Sequence, residues 1–401
     1  MLDFEQALKI VKERTPGPGP VVSVPLSAAR GHVLARDITA DIDMPPFDKS
    51  MMDGFALRES DILSPPVTLR VVGDIPAGTL SAFHIQEGEA AAIMTGAPMP
   101  KGADTVVKVE DTSGFGTPTV VVERGARHGA NVSYLGEIIQ RGDTVLTRGK
   151  KIGMAEVALL AAVGCDPVPV FDAPSVAILT TGDELVPPAE TPGPGRIRNT
   201  NAAALTAFAT EMGITPIDLG SVGDSKTAIQ GRVAEGLTAD LLLISGGVSA
   251  GVYDFVIEAL RSFGVTIHFD KIAVKPGKPT VFGTKDNHVV LGLPGNPVSA
   301  AVIARLFAGT IIAKRRGFSR YGPRTVTATL TTDIDKKPSR LWFVPGILSF
   351  ENGFSVAAVR AKGSADLLST VRTNCLIIAP KGTRRLPADS PVTVVIWGRI
   401  L

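Results

Sequence analysis

Leu241-Leu242-Leu243-Ile244-Ser245-Gly246-Gly247-Val248-Ser249 is the stretch on which the fold turns. Its first four residues form an aliphatic run bounded by Asp240, which reads as a strand buried on both faces. The two glycines that follow let backbone N–H groups approach an oxyanion. Equally, they serve a tight turn, and the motif by itself does not choose between the two.

Working outward, similar aliphatic runs at 176–179, 214–219 and 288–291 alternate with helical patterns at 202–212, 226–236, 253–263 and 298–315. Gly213 and Gly264 close two of those helices. Such alternation indicates a mostly parallel sheet covered on both faces. Ligands in such sheets bind at the carboxyl ends of the strands. Four loops would then meet at one edge: Thr180-Thr181-Gly182-Asp183-Glu184, Gly223-Asp224, Ser245 to Ser249, and Gly292-Leu293-Pro294-Gly295-Asn296-Pro297.

The flanks read differently. Asp3 and Gln6 suit a reciprocal helix cap, with Phe4, Ala7, Leu8 and Val11 forming an apolar stripe behind it. Short β-rich runs separated by Gly, Pro and Asp fill 21–122, and a buried helix is expected at 154–163. Asp172-Ala173-Pro174 is the linker, and 325–396 returns to strands that suit a small barrel or sandwich. The expected division is 1–172, with a β-rich insertion at about 48–140, then an α/β domain at 173–318 and a β domain at 319–401.

Composition excludes several function classes. The chain has 401 residues, 41 basic and 39 acidic, so its net charge of +2 provides no global field for nucleic acid or membrane. The two cysteines, Cys165 and Cys375, lie far apart without metal-ligand spacing, and a reducing cytoplasm is expected. The acidic start lacks the pattern of a secretory signal, and the apolar runs are too short to span a bilayer. Neither a G-x-S-x-G elbow nor a P-loop occurs, and the five histidines show no ligand spacing.

Lys271, Lys275 and Lys278 fall within the stretch that ends Pro276-Gly277-Lys278-Pro279, a turn with restricted backbone freedom. It reads as a solvated surface loop or as a rigid anion site. Glu184, Asp224, Asp183 and Asp254 cap turns and helices or, beside a phosphate cradle, share a divalent cation. In the irregular loop Pro46 to Ala56, Ser50 and Asp53 are among the few polar groups able to reach a ligand.

PPFDKSMMDGFA, IMTGAPMPKGADTVVKVE, TTGDEL, ISGGVSAGVYDF, KIAVKPGKP and GLPGNPVSA, in this order, resemble the molybdopterin molybdenumtransferase family, which includes MoeA and the C-terminal region of gephyrin. The resemblance covers nearly the whole chain. It implies a discontinuous elongated segment, a β-rich insertion, a molybdopterin-binding α/β domain and a C-terminal β-barrel, assembled as a homodimer. It further implies conversion of adenylylated molybdopterin and molybdate to molybdenum cofactor and AMP with magnesium (Mg2+). Contact with the molybdopterin adenylyltransferase is expected too.

By motif, the resemblance implies catalytic roles for Asp53, Asp254, Lys271 and Lys275, and places Glu184 and Asp224 on the metal or nucleotide side. Ser245, Gly246, Gly247, Ser249, Lys278, Pro279, Asn296, Arg340 and Ser364 would bind substrate, the last two in the molybdate pocket. Ile138 after Gly136-Glu137, Val252 after SGGVSAG, and Pro345 depart from common family residues. They leave open a catalytically weakened paralogue acting as a molybdopterin-binding scaffold.

Overall fold

The computed structural model describes residues 1–246 and 253–398, apart from the side chains of Tyr253 and Asp254. Its centre is a six-stranded sheet in the order Ile217–Val222, Val176–Thr181, Leu241–Ser245, His288–Leu293, Val281–Lys285, Thr266–Phe269. The first four strands run parallel and the last two add antiparallel. Leu241 to Ser245 occupies an inner position and is wholly buried, which is why every residue in it is aliphatic or hydrogen-bonded. Helices Thr200–Glu211 and Pro297–Arg315 bury one face of the sheet, and Lys226–Gly236 and Tyr253–Ser262 the other.

Helix Phe4–Arg14 starts from a capping box in which Gln6 N–H donates to Asp3 at 2.9 Å and Asp3 N–H to Gln6 at 3.2 Å. Its buried stripe enters the same core, with Phe4 edge-on to Phe307 at 5.7 Å and to Phe343 at 5.0 Å. One aromatic residue therefore joins the N-terminal helix, the α/β unit and the C-terminal unit.

Three two-stranded antiparallel ladders carry the chain outward and back: Val21–Val24 with Val168–Phe171, Ile38–Thr39 with Thr144–Leu146, and Lys49–Ser50 with Val132–Ser133. Between the two arms lies a five-stranded sheet in the order Thr105–Lys108, Gly54–Leu57, Glu89–Ile93, Val67–Ile75, Thr119–Val122, with its own apolar cores. At the other end, Leu341–Phe350, Phe354–Ala358, Thr325–Leu330, Pro391–Ile396 and Cys375–Ala379 close into a barrel through the pairing of the first with the last. Closure removes unpaired strand edges.

Four sequence expectations are corrected. The helix expected to be buried at 154–163 runs Met154–Ala162 and buries Leu160 alone, with Met154 84% exposed. The strand expected at 214–219 runs Ile217–Val222. Ile214 N–H instead returns to the Ala209 carbonyl to finish the preceding helix, and Pro216 has no N–H to give a ladder. The antiparallel hairpin Val281–Lys285 and His288–Leu293 was read only in its second strand. The helix expected at 298–315 runs Pro297–Arg315 and is interrupted by a π-helical segment, Ala304–Ala308. That helix is long and apolar enough to cross a bilayer, yet 67% of its apolar window is buried, with Phe307 and Ile311 wholly inaccessible.

Candidate functional site

The carboxyl ends of the inner parallel strands form a tight floor. Gly246 has φ +97°, and a Cβ there would lie 2.1 Å from the Thr181 carbonyl oxygen. Glycine is required on both counts. The Ser245 hydroxyl accepts from Asn201 Nδ2 at 2.9 Å and donates to the Pro294 carbonyl at 3.3 Å. Asn201 also donates to the Gly295 carbonyl at 2.8 Å, while its own Oδ1 is buried without a partner among the described residues. Sequence reasoning missed Asn201. It lies in the first turn of helix Thr200–Glu211, whose cap, Asn199, accepts from Ala202 N–H at 3.1 Å and donates to Thr180 at 2.8 Å. The pair of asparagines at a helix start was the available signal.

Asn296 is exposed and stands at the cap position of helix Pro297–Ile303, whose first N–H, from Val298, donates to the Ser364 carbonyl at 3.1 Å. Ser364, from the C-terminal unit, thus reaches the helix start that carries Asn296. Gly247, Val248, Ser249 and Val252 lie outside the described residues. Asp254 is on helix Tyr253–Ser262, but its side chain lies outside them too.

Beside this floor stand the carboxylates. Asp183 accepts from Asp224 N–H at 3.1 Å, and the Glu184 carboxylate lies against Gly182, where a Cβ would approach it to 2.6 Å. Asp224 Oδ1 is buried and has no hydrogen-bond partner among the described residues. Burial, then the charges of Asp183 and Glu184, push its carboxyl above the usual carboxylate range. Among the described residues no group of three or more metal-ligating side chains gathers. An orphaned carboxylate oxygen beside two like charges still fits a cation shared with substrate phosphate, since magnesium typically takes only one or two protein carboxylates.

The lysine turn lies along the same helix. Gly277 has φ +109°, and a Cβ there would come within 2.5 Å of Ile303. The turn is closed by Thr280 Oγ1 donating to the Gly277 carbonyl at 2.7 Å and Ile272 N–H donating to that of Lys278 at 3.0 Å. Val274–Lys275 pairs in parallel with Leu341 and Trp342 of the barrel. Arg340 donates to the Val274 carbonyl at 3.2 Å. Desolvation, then the charges of Arg340 and Lys337, lower the Lys275 ammonium from its usual range. Lys271 and Lys278 are exposed, Lys271 lying 4.0 Å from Asp270, and Pro279 is half-buried.

Asp53 is elsewhere. Its carboxylate accepts from Thr95 N–H at 2.7 Å and from the Thr95 hydroxyl at 2.8 Å, bonds that hold it below the usual carboxylate range. Among the described residues no hydrogen bond or ion pair joins it to the floor or the lysine turn. Elsewhere in the N-terminal region, Met51, two residues before it, and Leu135 and Ile138 are 56%, 54% and 67% exposed.

Three family models match the chain: the MoeA N-terminal region (domain I and II) over residues 2–164, a probable molybdopterin binding domain over 177–314, and the MoeA C-terminal region (domain IV) over 327–397. A molybdopterin molybdenumtransferase from Nostoc sp. is 35% identical over 93% of this chain and 88% of its own length. One from Bacillus subtilis is 35% identical over 93% and 89%. The crystal structure of the molybdopterin biosynthesis MoeA protein from Pyrococcus horikoshii superposes with a TM-score of 0.84, covering 100% of both chains at 29% identity.

Proposed function

The chain belongs to the MoeA family of molybdopterin molybdenumtransferases, and from that premise we propose how its residues divide the work of molybdenum cofactor biosynthesis. It is a transferase that inserts molybdenum into molybdopterin. The substrate is adenylylated molybdopterin, which with molybdate gives the cofactor and AMP. One observation carries the assignment of roles. The Gly246 floor and the cationic turn meet the two ends of helix Pro297–Ile303, the floor through Asn296 at its start and the turn through Gly277 packed on Ile303 at its end.

Ser245 and Gly246, with Gly247, Ser249 and Asn296, bind the pterin phosphate, where backbone N–H groups and the helix N-terminus favour an anion, and Asn201 holds Ser245 and the Gly295 carbonyl in place beneath it. Lys275, Lys278, Pro279, Arg340 and Ser364 receive molybdate, and Lys271 adds positive charge at the rim. Asp254 supports cleavage of the adenylate, and Asp53 supplies the acidic side of the cleft. Glu184 and Asp224 hold magnesium, which neutralises phosphate charge when bound.

The lack of any bond from Asp53 to the floor among the described residues, with Met51, Leu135 and Ile138 exposed in the same N-terminal region, supports a homodimer in which a second copy closes the cleft. Transient docking of the molybdopterin adenylyltransferase would deliver the substrate. The unpaired Cys165 and Cys375 suit a reducing cytoplasm. The scaffold reading is not favoured: proteins named as the transferase match over nearly the whole chain, Ile138 is a surface residue, and Pro345 sits in the barrel strand opposite Leu376.

The test is AMP release by the purified chain from adenylylated molybdopterin with magnesium. Molybdate should trigger release, and Asp254→Asn and Lys275→Gln should each slow it by at least about tenfold. Molybdate-independent release, or variants as fast as the parent, would reject the division of roles.

A further inference from the structure

Lys275 is held in an unusual way for a cation facing other cations. Its Nζ lies 3.7 Å from the ring centroid of Trp342, its direct partner across the parallel pairing of the two strands. Lys336 approaches the same ring at 5.8 Å and is 8% exposed. The Lys336 ammonium is satisfied by the carbonyls of Lys337 at 3.3 Å and Arg340 at 3.1 Å, and Arg340 by that of Val274. Carbonyl dipoles and a ring face, not carboxylates, therefore hold these cations among the described residues.

The difference matters for an anion subsite. A carboxylate beside Lys275 would cancel its charge and compete with an oxyanion. A carbonyl would consume one of its three N–H donors. The negative face of an aromatic ring attracts the ammonium without neutralising it and leaves the donors able to turn toward a ligand.

We propose that Trp342 is a positioning residue for the oxyanion subsite, its ring holding the Lys275 ammonium at the seam between the α/β unit and the barrel with charge and donors intact. The inference rests on the transferase reading of the same site and adds a residue to it.

The experiment uses the full chain. Trp342 and Trp397 are the two tryptophans, so Trp397→Phe leaves Trp342 as the reporter. Molybdate titration should give a saturable change in its fluorescence. In turnover assays Trp342→Leu should raise the KM for molybdate about three- to thirtyfold, the range of a cation–π contact. The KM for adenylylated molybdopterin and kcat should move less than about twofold, and Trp342→Phe should restore most of the loss.

A Trp342→Leu enzyme with unchanged molybdate KM, or with losses spread equally over both substrates and kcat, would overturn the proposal while leaving the transferase reading intact. So would Trp342→Phe as impaired as Trp342→Leu, since only packing would then be at stake. If Trp342→Leu does not fold, the Trp342→Phe KM and the fluorescence titration decide, and a silent titration rejects the proposal. A parent enzyme that never turns over rejects both readings.

Discussion

Asp224 has a buried carboxylate oxygen without a partner among the described residues and two acidic neighbours, so its cost is concentrated in its ionised form. Its pKa is raised on folding; its stabilising contribution is complete below the ordinary carboxylate range and is lost as pH rises through the raised value. In chelator at neutral pH, Asp224→Asn should therefore melt about 1–3 °C higher than the parent. Magnesium should stabilise the parent and leave the variant unmoved. A variant that melts lower at neutral pH would contradict this account. Gly246→Ala tests the floor: with φ +97° and a carbonyl 2.1 Å from the new Cβ, it should cost about 2–4 kcal/mol in urea unfolding. A loss under about 0.5 kcal/mol would show that the floor can yield. At this scale Gly246 was visible in the sequence as a glycine but its reason was not, because the obstructing carbonyl belongs to Thr181, on a different strand far back along the chain.

Elements were legible where pattern and burial agree. The fully buried strand Leu241–Ser245 and the amphipathic start Phe4–Arg14 follow directly from an aliphatic run and a capping box. The sequence was less legible where a neighbouring element takes the backbone: Ile214 is spent on a helix end, so its strand begins three residues later than its aliphatic character suggests. The missed strand Val281–Lys285 had a turn signal in Asp286-Asn287, with Asp286 at φ +50°, but Gly283 weakened its apolar pattern. Gly283 is there because a Cβ would meet Val265 at 2.7 Å, a contact no local pattern reveals. Asn201 escaped notice for the same reason, its value lying in two long-range hydrogen bonds. Asn201→Ala should lower stability by about 1–2 kcal/mol and weaken pterin binding more than molybdate binding. Equal weakening of both, read from the two KM values, would detach Asn201 from the pterin floor.

At the scale of the whole molecule, three consecutive basic residues at the end of helix Gly309–Arg315 and just after it tie the α/β unit to the N-terminal segment. Lys314 donates to the carbonyls of Lys12 at 2.5 Å and Thr15 at 2.6 Å, Arg315 to Gly17 at 3.0 Å, and Arg316 to Gly31 at 2.5 Å. Arg315 is 7% exposed and also pairs with Asp240. Burial opposes ionisation of Asp240, but the Ser175 hydrogen bonds and Arg315 outweigh it and hold the carboxyl below its usual range. Arg315→Met removes that pair and the bond to Gly17 but leaves Asp240, whose side chain is 31% exposed, its Ser175 hydrogen bonds, so it should cost about 1–2 kcal/mol at neutral pH. Because the Asp240 pKa is lowered, that contribution is present above the ordinary carboxylate range and is lost as pH falls through the lowered value. The gap between parent and variant should narrow in acid; a gap that widens there would refute the assignment.

The ties matter because the proposed site draws on separate regions of the chain: floor, lysine turn, barrel and the Asp53 loop. The motifs themselves were readable in order along the sequence, whereas the joining of Lys275 to Trp342 across a seam was not. The most direct test is the molybdenum content of the pterin product set against AMP released in a single turnover. The account predicts one molybdenum per AMP in the parent enzyme, with both falling together in Lys275→Gln. AMP release without molybdenum in the pterin would contradict it.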